Sequence, residues 1–187
     1  MSEIFGRLGG PRDEDVDDIV GLAGEMVPGL EAGRWLRRHH AAGVYALTTL
    51  AGDSFRATTV TGVLDVSLEP LLLLVSLEEG SQMESWIRDS GILGLSGMSV
   101  RQQFLADRFA GLAPLAPARF QGIDHFFAET GCPLLRDSIG WADCRVREAI
   151  PTGDHVNMLA EVVAVGRGSA ATEEPLVSYD GRYVRTR

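Results

Sequence analysis

The sequence predicts a mainly β protein, a β-barrel decorated with a few helices. Many short segments are rich in β-branched and apolar residues, short turns of Gly, Asp, Pro and Ser join them, and helical periodicity occurs at only a few points. The chain has 187 residues, 45% of them hydrophobic and 23% charged. A chain of this size and composition buries a sizeable core without disulfides or a structural metal.

The N-terminal residues differ from the rest in charge. Residues 1–31 carry eight acidic and two basic side chains, which accounts for six of the nine net negative charges. Apolar residues at the i, i+3, i+4, i+7 spacing predict a helix over 13–26, with the acidic cluster in its first turn. A second short helix is predicted over 31–42.

Predicted strands begin at Gly43 and continue to the end of the chain. They are rich in β-branched and apolar residues and are bounded by turn-forming ones. The Asp180-Gly181 pair is a strong hairpin signal, and the 111–122 segment, with its prolines and glycines, is predicted to be a loop. The predicted strands are 44–50, 55–61, 71–77, 92–95, 141–150, 155–165, 176–179 and 182–184, with turns at 51–54 and 151–154.

Two helices are predicted between these strands. Ser81 is a suitable N-cap for the first, and Gly91 is suited to end it. Met83, Trp86 and Ile87 share one face of this helix. The second helix covers 100–109 after the N-cap Ser99, and its predicted core contacts are Val100, Phe104 and Phe109.

Composition excludes several functions. All 17 basic residues are Arg, so a Schiff-base lysine and a Walker-type phosphate lysine are both ruled out. A net charge of −9 argues against nucleic-acid binding. The longest apolar run, 71–75, is far shorter than the roughly 20 residues of a membrane span. No secretory signal is visible, so we expect a cytoplasmic protein with Cys132 and Cys144 as free thiols.

The sequence does not support a dinucleotide-binding loop, a hydrolase nucleophile or a metal site. The segment 166–171 matches G-x-G-x-x-A, but Pro175 follows too soon for the helix that a dinucleotide fold requires. The segment 94–98 lacks the final glycine of G-x-S-x-G. No metal-ligand spacing is present, because the four histidines are either adjacent or isolated.

The segment 56–70 concentrates small and hydroxyl-bearing residues where a strand runs into a loop and returns. Such a segment lets a ligand approach the backbone closely and offers N–H and hydroxyl donors to it. A Thr-rich surface strand explains the same composition, so the residues alone leave both interpretations open.

Short motifs follow one another in a characteristic order from Gly43 to Tyr183. They are Gly43-Val44, Thr48-Thr49, Thr59-Val60-Thr61, Val66-Ser67-Leu68-Glu69-Pro70, Leu72-Leu73-Leu74-Val75-Ser76-Leu77, Gly80-Ser81-Gln82-Met83, Asp107-Arg108-Phe109-Ala110-Gly111, Pro133-Leu134-Leu135, Trp141-Ala142-Asp143-Cys144, Gly153-Asp154-His155, Pro175-Leu176-Val177-Ser178-Tyr179 and Gly181-Arg182-Tyr183. In this order they resemble the flavin reductase-like, FMN-binding split-barrel family over roughly residues 34–185.

The resemblance implies a fold and a function. Members of the family are homodimers of a Greek-key split β-barrel that hold FMN, or FAD, near the dimer interface. Many reduce this flavin with NADH or NADPH and supply it to a separate flavin-dependent monooxygenase. The resemblance therefore implies a flavin reductase domain over 34–187, preceded by an acidic helical extension over 1–33.

The resemblance also implies site residues. It places the loop 58–62 along the isoalloxazine ring, Ser76 and residues 81–83 beside the ribityl and phosphate groups, His155 near the nicotinamide, and Tyr183 at the ring or its rim. Arg108 is expected to support the phosphate. The expected cofactor-binding residues are Thr58, Thr59, Val60, Thr61, Gly62, Ser76, Ser81, Gln82, Met83, Arg108 and Tyr183, and the expected catalytic residue is His155.

One departure keeps alternatives open. Many members have a loop resembling Thr-Ala-Ser-Ser-Phe-Thr-Ser, whereas this chain has Thr-Val-Thr-Gly-Val-Leu-Asp over 59–65. Two hydroxyls and an aromatic ring are missing. A non-enzymatic FMN-binding electron carrier or flavin sensor, and a structural dimer without flavin, are therefore kept as alternatives. His155 is alternatively a turn histidine bonded only within its hairpin, and Arg108 a surface ion pair.

Overall fold

A computed structural model describes residues 29–113 and 120–186. The chain divides into two units, 1–39 and 40–187. The described part of the first unit is mainly helix α1, Gly29–Arg38. This helix ends four residues before the predicted end, because Ala42–Gly43 forms a strand instead. The helix predicted over 13–26 lies outside the described residues.

The second unit consists of twelve strands, two α-helices and one 3₁₀ turn among the described residues. The strands are β1 (Ala42–Gly43), β2 (Tyr45–Ala51), β3 (Ser54–Val60), β4 (Val63–Leu68), β5 (Leu71–Glu78), β6 (Ile92–Gly97), β7 (His125–Phe127), β8 (Pro133–Leu135), β9 (Gly140–Thr152), β10 (His155–Arg167), β11 (Val177–Tyr179) and β12 (Arg182–Val184). The helices are α2 (Gln82–Ser90) and α3 (Gln103–Phe109), the latter preceded by the 3₁₀ turn Val100–Gln102.

The main sheet is antiparallel and has the strand order β3-β2-β6-β9-β10-β5-β4. Its edge strands, β3 and β4, are consecutive in the chain, but they are not paired with each other. The sheet therefore curves into a barrel that stays open along this seam, as in a split barrel. Two small sheets, β1-β11-β12 and β7-β8, complete the unit. The prediction of a mainly β fold with helical decorations is confirmed.

Two hydrophobic clusters pack on opposite faces of the main sheet. The first fills the inside of the barrel, where α2 contributes Met83 and Ile87. The second lies between the other face and α3. The fully buried members of the first include Leu47, Val75, Ile87, Leu93, Val156 and Met158, and those of the second include Val44, Ala46, Met98, Phe109, Leu135 and Leu176.

Several predicted elements need correction. Strand β4 occupies a segment that was predicted to be a loop, and β7 and β8 were not predicted. Strands β9 and β10 extend further than predicted, so the turn between them is only Gly153-Asp154. Phe104 was predicted to be in the core but is 66% exposed. The 3₁₀ turn shifts the helical phase, so Ala106 faces inward in place of Phe104, while Phe109 is buried as predicted.

A buried polar group ties the loop before β8 to the main sheet. The Asp143 carboxylate is inaccessible to solvent and accepts hydrogen bonds from the backbone N–H groups of Glu129 and Thr130, at 2.7 and 2.8 Å, and from the Thr130 hydroxyl. Cys132 and Cys144 are free thiols, as predicted. Burial raises the pKa of each thiol to about 12. None of the described helices is both long enough and apolar enough to cross a bilayer.

Candidate functional site

The N-terminus of α2 is built by a short run of residues after β5. Ser81 is the N-cap, and its side-chain oxygen accepts the N–H of Glu84 at 3.3 Å. Gly91, with φ of 68°, ends the helix in the left-handed conformation. Both predicted caps are therefore confirmed. Met83 is buried in the barrel core, so only its backbone is available to a ligand at this helix end.

Gly62, which immediately precedes β4, lies in a row with Ser76 of β5 and Asn157 of β10. The Ser76 N–H donates to the Gly62 carbonyl at 2.8 Å, and Ser76 pairs directly with Asn157. A Cβ at position 62 would lie 3.1 Å from the Cβ of Ser76, so a side chain there would press on Ser76. The neighbours of Ser76 in β5, Val75 and Leu77, point into the core, so this row lies on the outer face of the barrel.

His155 lies beside this row, at the start of β10. It is on the same face as Asn157 and pairs with Glu78, whose carbonyl accepts the Ser81 N–H at 3.2 Å. Its Nδ1 lies 2.7 Å from the Asp154 carboxylate, and its side chain is 23% exposed. Because a carboxylate only accepts, Nδ1 carries the proton and Nε2 is left for another partner.

The predicted loop residues Thr58 and Thr59 lie on opposite faces of β3. Thr58 is on the same face as Val60, which belongs to the barrel core. Thr59 lies on the other face, where its hydroxyl donates to the Ala106 carbonyl of α3 at 2.7 Å. The two hydroxyls therefore cannot meet one ligand, and only the backbone of this strand end is shared by both.

Arg108 and Tyr183 lie on the α3 side of β3, away from the N-terminus of α2. The Arg108 guanidinium donates to the Gln121 carbonyl at 3.2 Å. Tyr183 packs against the second cluster and hydrogen-bonds the Asp107 carboxylate. Burial, reinforced by Asp107, raises the pKa of the Tyr183 hydroxyl to about 12. The structure thus groups Gly62, Ser76, residues 81–83 and His155, but it separates Arg108 and Tyr183 from them.

Two features of the grouped site were missed in the sequence. Asn157 is one, and its amide donates to the Thr152 hydroxyl at 2.9 Å. Glu84 is the other, with its carboxylate accepting the Gly80 N–H at 3.1 Å and paired with Arg88. The Ser81-x-x-Glu84 spacing is that of a capping box, a signal that could have found Glu84. Only strand pairing could have found Asn157.

The opposite end of the barrel contains an apolar cavity of about 360 Å³. Tyr45, Leu73, Trp141 and Val162 contribute to its lining, and Asp65 adds a carboxylate. Burial, with a smaller effect from Asp65, raises the pKa of Tyr45. No residue predicted to bind flavin is part of the described lining. The cavity offers few hydrogen-bond donors, so it suits the polar edge of a flavin less well than the α2 end does.

The grouped residues fit a flavin in three respects. The close approach of Gly62 and Ser76 leaves a shallow, side-chain-poor surface for a flat ring. At the α2 N-terminus, the N–H groups of Gln82 and Met83 have no partner in the described chain, and they are suited to a polar ribityl or phosphate group. His155 offers Nε2 at the edge of the same surface.

Comparison with known proteins identifies the family. A family model described as flavin reductase like domain matches residues 36–187. An NADPH-flavin oxidoreductase of Streptomyces viridifaciens is 33% identical over 80% of this chain and 77% of its own length. An NADH:FMN oxidoreductase of Rhodococcus qingshengii is 30% identical over 99% of this chain and 97% of its own length.

A solved structure agrees with these relatives. BorF, the flavin reductase component of a bacterial two-component tryptophan halogenase, superposes with a TM-score of 0.73 at 27% identity, covering 84% of this chain and 98% of its own. This chain therefore shares its fold with a solved flavin reductase. The chain belongs to the flavin reductase-like family.

Proposed function

We propose that this protein is an NAD(P)H-dependent flavin reductase that uses FMN, or FAD, as the flavin. The observation that carries the proposal is the grouping of Gly62, Ser76 and His155 on one outer surface of the barrel, next to the α2 N-cap Ser81. Two relatives that span most of the chain are named as oxidoreductases that act with NADPH or NADH on flavin, which supports the same activity.

The flavin, when bound, supplies the redox chemistry by accepting hydride from the nicotinamide. The protein has to bind and orient the two rings and to meet the charge that develops. In our assignment the backbone of 58–62, the exposed Thr61 hydroxyl and Ser76 support the flat ring. The free N–H groups of Gln82 and Met83 hold the ribityl or phosphate end. His155, oriented by Asp154 through Nδ1, presents Nε2 toward the nicotinamide side.

Arg108 and Tyr183 take a different role in this proposal. Both hydrogen-bond within their own side of the fold, Arg108 to Gln121 and Tyr183 to Asp107. We assign them to holding α3 in place rather than to direct contact with the flavin. The acidic residues 1–33 are assigned to an extension outside the catalytic domain.

The protein functions as a cytoplasmic homodimer in this proposal. Leu64, Leu74 and Leu159 pair across β4, β5 and β10 on the same outer face as Ser76 and His155, and Leu64 is 62% exposed. A row of leucines on an exposed face favours burial against a partner. A second copy seated here would also cover the flavin surface. Replacing Leu64 by Asp should convert the dimer to monomer in sedimentation equilibrium.

A separate flavin-dependent monooxygenase is the proposed recipient of the reduced flavin. BorF, the reductase component of a two-component tryptophan halogenase, is a similar protein that works in a two-protein system of this kind, which supports the proposal.

The activity test follows NADH and NADPH oxidation by the purified protein at increasing FMN. Saturable, FMN-dependent oxidation is expected. A flavin that binds but is not reduced would instead support the electron-carrier or sensor alternative, which the missing loop hydroxyls favour. No flavin binding would exclude both and leave a structural dimer.

A further inference from the structure

The strongest unexplained feature beside the proposed flavin surface is the Glu84 side chain. It turns back over the N-terminus of α2, where one oxygen accepts the Gly80 N–H at 3.1 Å and the other is paired with Arg88. Only 8% of the residue is exposed. A carboxylate therefore already occupies part of the positive end of this helix, which is where an anionic ligand would be stabilised.

Most of the hydrogen-bond donors at this helix end are consequently in use. The Gly80 N–H is bonded to Glu84, the Ser81 N–H to the Glu78 carbonyl, and the Glu84 N–H to the Ser81 side chain. The N–H groups of Gln82 and Met83 are left. A dianionic phosphate that reaches them must approach the buried Glu84 carboxylate, and like charges repel strongly where solvent is largely excluded.

Arg88 offsets this repulsion only in part. Its guanidinium is committed to Glu84, and its side chain is 44% exposed. Removing the negative charge of Glu84 would leave Arg88, one helical turn beyond Glu84, as an uncompensated cation that would attract a phosphate.

We propose that Glu84 is a specificity-determining residue that weakens the hold on the flavin phosphate, so that recognition rests mainly on the isoalloxazine and ribityl groups. This inference rests on the proposed flavin reductase function. Weak phosphate binding suits a flavin that is used as a diffusible substrate and handed on. It also predicts that riboflavin, which lacks the phosphate, binds nearly as well as FMN.

The test measures the dissociation constants of FMN and riboflavin by quenching of flavin fluorescence. Glu84→Gln keeps the shape and removes the charge, so it should tighten FMN about tenfold while riboflavin changes less than about twofold. Glu79→Gln is the matched control, because it removes the same charge from an exposed neighbouring residue. It should leave the FMN-to-riboflavin ratio unchanged.

A second variant keeps the test decisive if Glu84→Gln does not fold. Arg88→Gln removes the exposed cation and should weaken FMN severalfold without affecting riboflavin. Unchanged ratios in both variants, with both flavins bound, would overturn the role of Glu84 and leave the reductase function standing. If neither flavin binds the unmodified protein, the proposed function fails and this inference fails with it.

Discussion

Replacing Thr59 by Val tests whether the hydroxyl of this residue serves the fold or the flavin. The resemblance to the family places Thr59 in the flavin loop, but its hydroxyl donates to the Ala106 carbonyl at 2.7 Å, on the face of β3 away from α2. Valine keeps the branched shape and removes only the hydroxyl. The substitution therefore isolates a single hydrogen bond.

The expected loss of stability is small, because the Ala106 carbonyl keeps a second donor, the Ala110 N–H at 2.9 Å. Because the carbonyl still accepts one hydrogen bond, Thr59→Val should lower the free energy of unfolding only by the net contribution of the lost bond, about 1 kcal/mol. Urea unfolding should show this decrease, while the dissociation constant for FMN should change less than about twofold.

The same substitution two residues along the chain provides the control. Thr61 is exposed at the end of β3, next to Gly62, so Thr61→Val should weaken FMN with little effect on stability. If Thr59→Val weakened FMN about tenfold or more and left the free energy of unfolding unchanged, the reasoning from strand faces would be refuted.

Three further predictions concern other parts of the molecule. Asp143→Ala should lower the free energy of unfolding by about 3 kcal/mol or more, because it removes the charge-assisted hydrogen bonds that a fully buried carboxylate accepts from Glu129 and Thr130; a loss below about 1 kcal/mol in urea unfolding would contradict this. His155→Ala should lower FMN-dependent turnover about tenfold or more and change the FMN dissociation constant less than about threefold, since Nε2 is assigned to the nicotinamide side; equal losses in both would exclude that role. Cys132 and Cys144 should resist a thiol reagent at pH 8 in the folded protein and react once it is unfolded, because both are buried with pKa values of about 12; rapid labelling of the native protein would show that the core opens.

Local signals account for the elements that were predicted correctly. The apolar run of β5, the Ser81 and Gly91 caps of α2 and the Asp180-Gly181 turn each depend on a few neighbouring residues. The helical phase of α3 was predicted incorrectly, because the 3₁₀ turn before it rotates the helix and exposes Phe104. Strand β4 was missed although Leu64, Val66 and Leu68 alternate with Asp65 and Ser67, because the small and hydroxyl-bearing residues around it favoured the interpretation as a loop.

For the site, the sequence by itself determined which short motifs are present, and their order was sufficient to identify the family. It could not determine which of them meet. Strand pairing decided that Asn157 adjoins Gly62 and Ser76, since β10 is distant in the chain from β4 and β5. Strand alternation placed Thr58 and Thr59 on opposite faces, and the first turn of α2 brought the Glu84 carboxylate into hydrogen-bond contact with the Gly80 N–H. The pairing of Ser76 with Asn157 and the hydrogen bond from Thr59 to Ala106 join residues far apart in sequence, and only the tertiary structure brings these residues together.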